Sequence, residues 1–564
     1  MLREQILTSL SSNPQVDVLI VGGGINGIGT FRDLALQGVN TLLIERGDFC
    51  SGASAASSHM AHGGIRYLEN GEFRLVREAV QERNRMLQNA PHLVKPLPTA
   101  IPIFKRFSGL LNAPLKFLGL LERPAERGAL VIKLGLMLYD SYTGKTRQVP
   151  SHRFYNRRQS LQRWPHLNPN ILYTATYYDG AILSPERYAI ELLLDAEAEG
   201  NHARALNYVS LIGGKGKSVF LRDELTGQEY EVRPRLLINA SGAWIDHTNG
   251  SLGLRTHFIG GTKGSHLILD HPQLRQAIGD YEFFFENDDG RIVLIFPLFD
   301  KVLVGTSDIP IEDPDQARCT EEEVEYFLHM IGRVFPGIRV GREHIVFRFS
   351  GVRPLAFTRA HNPGQITRDH HIQVVPEEWS GLSFPIYSLV GGKWTSYRAF
   401  SEQVTDRALS FLQRPRRKDT RTLPVGGGRG YPKTSEERQQ CLKRMTAWSG
   451  LPLAHLEMLC ERYGMRAEDV VIFLSHEADT PLHSLPDYTQ RELAFLVQHE
   501  KVVHLDDLLL RRTSLAKLGR LSQAAVEEIA SVAARAAGWG AERTRSEIER
   551  LRRILQERHQ VTLS

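Results

Sequence analysis

From Val16 to Val21 the chain is an almost unbroken apolar run rich in β-branched residues, the pattern of a strand covered on both faces of a parallel sheet. The period then changes. Ile28, Phe31, Leu34 and Ala35 share one helical face in a segment predicted to run from Ile28 to Gln37, and Gly38 supplies a stop. A second apolar run, Thr41 to Ile44, completes a strand–helix–strand unit. Leu236 to Asn239 predicts another strand of the same kind, running into the small residues Ala240, Ser241 and Gly242. Between 255 and 350 the stretches GSHLILD, RIVLIFPLF and KVLVGTSD predict an antiparallel sheet. Residues 387–409 read as strand, Gly391-Gly392 turn and helix. Residues 414–433 hold seven basic residues, one acid and several Pro and Gly, which predicts an exposed linker. From 434 to 564 amphipathic helical stretches predict a separate all-α domain.

Chemistry enters at the first turn. Gly22, Gly24 and Gly27 follow the first strand as Gly-x-Gly-x-x-Gly, and Glu45 ends the second strand. In such a unit the first glycine permits the tight turn and the second lets the backbone approach a pyrophosphate. The third lets helix and strand pack closely, and the acid accepts a ribose hydroxyl. The spacing points to an adenine dinucleotide and leaves NAD and FAD open. A helix start at Gly391–Lys393 could face the same cofactor a second time.

The 564 residues suffice for two or three domains, and 42% hydrophobic with 24% charged residues is the composition of a globular chain. A net charge of +5 suits an anionic substrate or membrane surface. Cys50, Cys319, Cys441 and Cys460 form no CxxC or Cys/His ligand spacing, so no disulfide framework, iron–sulfur cluster or zinc site is expected. The first residues, with Glu4 and a short apolar run, do not read as a signal peptide. No uncharged apolar run of about 18 residues predicts a membrane span.

Several longer motifs stand in one order: VGGGINGIG, SGASAASSHMAHGGIRYLENGEFRLVREAVQER (51–83), KGSH (263–266), FSGVRPL (349–355), ITRD (366–369), GGKWTSYR (391–398) and HLDDLLLRRT (504–513). Together they closely resemble the FAD-dependent glycerol-3-phosphate dehydrogenases over nearly the whole chain. The resemblance implies an α/β fold: a Rossmann-like FAD-binding domain of glutathione-reductase type with an antiparallel-sheet substrate domain, plus the all-α C-terminal domain. Residues 1–413 would hold the first two, interleaved, with the FAD half mainly 16–100, 180–250 and 350–410 and the cap mainly 255–350. It further implies oxidation of sn-glycerol 3-phosphate to dihydroxyacetone phosphate by hydride transfer to flavin N5, with electrons passed to a membrane quinone.

The resemblance also implies site residues. Arg66, Tyr67, Arg353, Lys393 and Arg368 match substrate-binding positions, with Arg187 a further candidate. A phosphate dianion calls for forked Arg and compact Lys charges. His62 and His266 are the candidates for the proton taken from the substrate hydroxyl, with Arg353 and Lys393 beside them. Gly22, Gly24, Gly27, Glu45, Ser57, Ser58, His62, Gly63, Ala240, Gly242, Gly391, Gly392 and Lys393 are the expected FAD contacts. No metal and no nucleic acid is expected; a homodimer is.

Two positions depart from the family pattern: His59 replaces a usual Lys, and Ser184-Pro185-Glu186-Arg187 replaces Asp-Asp-Ala-Arg. They admit a sister specificity for another small phosphorylated or carboxylated 2-hydroxy or amino compound. An NAD-dependent dehydrogenase would leave the Gly-Gly helix start at 391 unexplained, and a non-catalytic flavoprotein would not need Arg66, Arg353 and Lys393 together. Residues 103–147 carry Phe107, Leu110, Leu111, Leu115, Phe117, Leu118, Leu120 and Leu121, then an apolar run from Leu130 to Tyr139, with eight Lys or Arg against three acids. That pattern predicts a peripheral contact with lipids at the cytoplasmic face of the cell membrane, with core helices as the alternative.

Overall fold

The computed structural model describes residues 2–65, 72–105, 129–143, 148–286, 292–358 and 369–563. Strand β1 (Gln15–Val21) pairs in parallel with β2 (Thr41–Glu45), and the helix between them is Ile25–Leu36. This helix starts three residues before the predicted Ile28, because Gly24 takes the N-cap position in extended backbone. Gly27 therefore falls in the first turn. β7 (Ala203–Asn207), β10 (Glu229–Asn239) and β18 (Ile386–Val390) complete a parallel array in the order β18-β10-β1-β2-β7. β17 (His371–Val375) adds an antiparallel edge, and β8 (Val209–Lys215) with β9 (Ser218–Asp223) extends β10 as a hairpin. Each central strand is buried along most of its length, as expected of a sheet sandwiched by helices. The helices Ile25–Leu36, Pro185–Glu197 and Tyr397–Leu412 cover one face and share its core with Val18, Ile20, Leu43 and Ile238.

A second sheet is larger than the predicted cap. From 255–350 it takes β11 (Thr262–Leu269), β12 (Glu282–Glu286), β13 (Ile292–Leu298), β14 (Lys301–Gly305), β15 (Ile309–Pro310) and β16 (Ile345–Arg353). It also draws on β3 (Met60–Ala61), β4 (Val94–Ile103), β5 (Arg153–Asn156) and β6 (Tyr173–Ile182). These antiparallel strands join through a parallel β12–β4 pairing, so the boundary expected near residue 100 does not hold. Alternation in β4 is blurred by Pro96, Pro98 and Pro102, which hides the strand from a period-2 reading.

The main C-terminal helices are Ser435–Ser449, Leu453–Tyr463, Ala467–Ser475, Gln490–His499, Gln523–Ala537 and Ala541–His559. Their core continues into the second sheet through Met60, Ile268, Phe296, Phe347 and Phe349. The 414–433 segment is not simply exposed. Arg416 pairs with Asp33, the N–H groups of Arg417 and Lys418 donate to Gln37, and Gly426 to Gly428 are buried. Its basic side chains find carboxylates distant in sequence, Arg416 on Asp33, Lys418 on Glu199 and Arg421 on Glu402, which local composition cannot reveal.

Candidate active site

The glycine turn has the predicted form. Gly22 sits at φ 113°, and a Cβ there would lie 2.6 Å from the Ala240 carbonyl oxygen. A Cβ on Gly27 would lie 1.9 Å from the Gly22 carbonyl oxygen, so only glycine lets the helix start against the turn. Glu45 closes the turn by accepting the Gly23 N–H at 2.7 Å and the Gly47 N–H at 2.9 Å. Burial pushes its carboxyl up, and these two donors pull it back. At the helix start, the buried Asn26 Oδ1 has no hydrogen-bond partner among the described residues, and the space beside Gly242, at the end of β10, is open. A side-chain-free turn, an orphaned amide oxygen and an open flank fit a dinucleotide.

Three further segments converge there. Gly391 and Gly392 both have positive φ, and a Cβ on Gly392 would lie 2.7 Å from Asn26 Nδ2, so the second Gly-Gly turn abuts the first. Trp394 Nε1 donates to the Ser54 carbonyl at 3.0 Å, while Ser54 Oγ accepts the Ile25 N–H at 2.9 Å. Cys50 N–H donates to the Gly23 carbonyl at 2.8 Å. The loop leaving β2 thus binds both glycine turns. At its far end Ser57 Oγ accepts the His59 N–H, and the His62 N–H and carbonyl both bond the Thr395 hydroxyl, at 3.0 and 3.1 Å. Gly63 N–H reaches Tyr139 Oη at 3.0 Å and Asp179 Oδ1 at 3.1 Å, and Arg83 Nη1 donates to the same tyrosine oxygen at 3.0 Å.

The second sheet supplies the opposite wall. The register that pairs His266 with Phe349 sets these two rings on the face toward the loop. His266 Nε2 lies 2.8 Å from Ser58 Oγ, its ring stacks on Phe349 with centroids 4.9 Å apart, and Nδ1 has no hydrogen-bond partner among the described residues. Burial, then the Arg353 and Lys517 charges, pull its pKa down to about 3, so His266 is neutral at physiological pH. Arg353 ends β16 over Gly264, where a Cβ would lie 2.3 Å from Nη2. Its fork is aimed by Thr306 Oγ1 at 2.7 Å, the Ser307 carbonyl at 3.1 Å and Asp308 Oδ1 at 3.3 Å.

Lys393 follows the second glycine pair, and its charge bears on His370 and Glu78. Burial chiefly pulls His370 down to about 4. Arg66, Tyr67 and Arg368 lie outside the described residues. Arg187 is a correction to expectation. It is buried in an ion pair with Glu500, donates to the Arg512 carbonyl at 3.0 Å, and lies over the Tyr463 ring, all in the C-terminal domain. Its partner is 313 positions away in sequence, so the SPER motif alone gives no warning. The sequence reading missed Asn26, Ser54, Trp394 and Thr395, although all four lie inside motifs it quoted. Asp179, Tyr139 and the Thr306–Asp308 segment carry no sequence signal for their roles.

Residues 17–382 match the family model described as FAD dependent oxidoreductase, and residues 418–544 match the C-terminal domain of alpha-glycerophosphate oxidase. A glycerol-3-phosphate dehydrogenase of Synechocystis sp. is 34% identical over 528 residues, covering 89% of each chain. A D-erythritol 1-phosphate dehydrogenase of Brucella abortus is 29% identical over 506 residues, covering 88% of this chain and 94% of the relative. The solved glycerol-3-phosphate dehydrogenase from Bacillus halodurans complexed with FAD shares the fold with a TM-score of 0.75 at 24% identity, covering 98% of this chain and 97% of that one. With the glycine turns, the loop between them and the facing sheet already fitted to a dinucleotide, the chain belongs to the FAD-dependent oxidoreductases, among the glycerol-3-phosphate dehydrogenases, and its cofactor is FAD.

Proposed function

We propose that this protein oxidises sn-glycerol 3-phosphate to dihydroxyacetone phosphate. The observation that carries the reading is the Arg353 fork, held by Thr306, Ser307 and Asp308 beside His266, in a chain so similar to a glycerol-3-phosphate dehydrogenase. When bound, FAD supplies a hydride acceptor at its N5. Arg353 and Lys393 bring the positive charge that a phosphate dianion needs, joined in this reading by Arg66, Tyr67 and Arg368. His62 is the proton acceptor for the substrate hydroxyl, on a loop whose backbone is tied to Thr395. His266, neutral and bound to Ser58, orients the loop from the other side. Anaerobic addition of glycerol 3-phosphate to the yellow holoenzyme is expected to bleach the flavin absorbance; a flavin that stays oxidised overturns the substrate.

The electron acceptor in this reading is a membrane quinone, reached by contact with the cytoplasmic face of the cell membrane. The helix Ala129–Thr143 supports it: Ile132, Leu136 and Tyr139 face the core, while Leu130, Leu134 and Met137 are 42%, 59% and 54% exposed. No described helix is long and apolar enough to cross a membrane. The stretch from Phe107 to Leu121 lies outside the described residues. A second reading, a longer phosphorylated polyol as substrate, is favoured by the similarity to the D-erythritol 1-phosphate dehydrogenase. A higher kcat/KM for erythritol 1-phosphate than for glycerol 3-phosphate would select it.

A further inference from the structure

Lys517 carries the C-terminal domain to the middle of the active-site loop. Lys517 follows a π-helical turn, Leu508–Arg512, and is only 8% exposed. Its ammonium donates to the Ala55 carbonyl at 3.2 Å and pairs with Glu186. It also stands 5.6 Å from the centre of the Phe349 ring, on which His266 stacks. His266 in turn bonds Ser58, three residues beyond Ala55. The contacts close a circuit: Lys517, the 55–58 loop, His266, Phe349 and back to Lys517. The loop in this circuit also caps the first glycine turn through Ser54 and takes the Trp394 indole N–H.

Other ties between the domains make no such circuit. Lys501 pairs with Glu197 at 2.8 Å, and Arg187 pairs with Glu500, both away from the loop. Asp48 accepts from Arg512 at 2.7 and 2.8 Å and also from Arg511, which anchors the start of the loop but touches neither His266 nor Phe349. A plain docking role needs only such pairs. Placing an ammonium on a carbonyl of the flavin-side loop and over the ring that supports His266 needs more.

We propose that Lys517 is a positioning residue of the active site, through which the C-terminal domain holds the 53–58 loop and the His266 ring in register. The inference rests on the flavin site and not on the identity of the substrate. The test uses the full-length holoenzyme with Lys517→Met, Lys517→Arg and Lys501→Met, reading the FAD dissociation constant, the flavin absorption bands, and kcat and KM with a soluble dye acceptor. Lys517→Met should raise the FAD dissociation constant about tenfold, the usual size of coupling between linked sites, shift the flavin bands, and lower kcat more than it raises KM. Lys517→Arg should restore all of these, and Lys501→Met should change none. Wild-type values for Lys517→Met, or the same losses in Lys501→Met, overturn the proposal. If Lys517→Met does not fold, the wild-type enzyme decides. Linkage requires that removing FAD raise hydrogen exchange across 513–520; equal exchange with and without FAD overturns it. A wrong substrate assignment would abolish turnover in the wild type while leaving the FAD and exchange readouts intact.

Discussion

At the scale of single residues, geometry separates groups that composition treats alike. Arg187 in SPER and Arg353 in SGVRPL look alike as candidate phosphate ligands, yet one is consumed by Glu500 and the other is aimed by three oxygens. Arg353→Ala should reduce transition-state stabilisation by roughly 2–5 kcal/mol in kcat/KM, the scale for removing one partner of a close charge pair. Arg353→Lys should recover little, because one ammonium cannot satisfy Thr306 and Ser307 while presenting an edge to phosphate. An unchanged kcat/KM in the alanine variant would remove Arg353 from phosphate recognition. Glu282 gives a prediction of a different kind. It is fully buried, Oε2 accepts from Thr99 Oγ1 at 3.0 Å, and Oε1 has no hydrogen-bond partner among the described residues. Burial pushes its pKa up to about 8, with the Asp179 charge adding to the rise. The folded state then holds a proton that the unfolded chain releases near pH 4.5, so this group's stability contribution is full below that pH and is lost as pH rises to about 8. Glu282→Gln should flatten that decline, as measured by denaturant unfolding from pH 5 to 8; parallel curves for the two proteins would refute it.

At the scale of elements, what could be read from sequence is what depends on neighbours in the chain. β1, the glycine turn and β2 follow from local period and φ demands, and they stand within a few residues of expectation. The membership of β4 and β6 in the second sheet depends on pairing across 70 to 88 positions, from Ile103 with Tyr173 to Val94 with Ile182, so nothing near either strand announces it. The VGGG run at 425–428 shows the limit from the other side. It resembles the first glycine turn in composition, yet Gly427 N–H donates to Glu191 Oε2 at 2.9 Å and Gly426 N–H to Asp195 Oδ2 at 3.1 Å. Carboxylates already hold those amides, so the run is a strap fastener and no phosphate cradle. The helix Ala129–Thr143 carries the membrane expectation in testable form, because Leu130, Leu134 and Met137 are too exposed for their loss to hollow the core. Changing all three to Ser should move the protein from the membrane to the soluble fraction and depress quinone reduction, while dye-linked turnover survives. A triple variant that still sediments with membranes would send the contact elsewhere.

At the scale of the molecule, the two sheets and the helical domain are interleaved rather than strung in line. The helical core runs on into the second sheet, and His559 Nδ1 donates to the Arg348 carbonyl at 2.8 Å on the strand that carries Arg353. The order of the parallel sheet carries a further consequence. Its central strand β10 lies between β1, made from residues 15–21, and β18, made from residues 386–390. During synthesis on a ribosome, the first glycine turn emerges long before the second one that abuts it. While the residues between 239 and 386 are made, about a quarter of the 564-residue chain, the nascent chain therefore exposes one edge of β10 with no partner strand, and half a cofactor cradle. A complete cradle for FAD exists only once Gly391 and Gly392 have left the exit tunnel, and the helices of the C-terminal domain follow. A cell making this protein must shelter that open edge while the ribosome reads the stretch between β10 and β18.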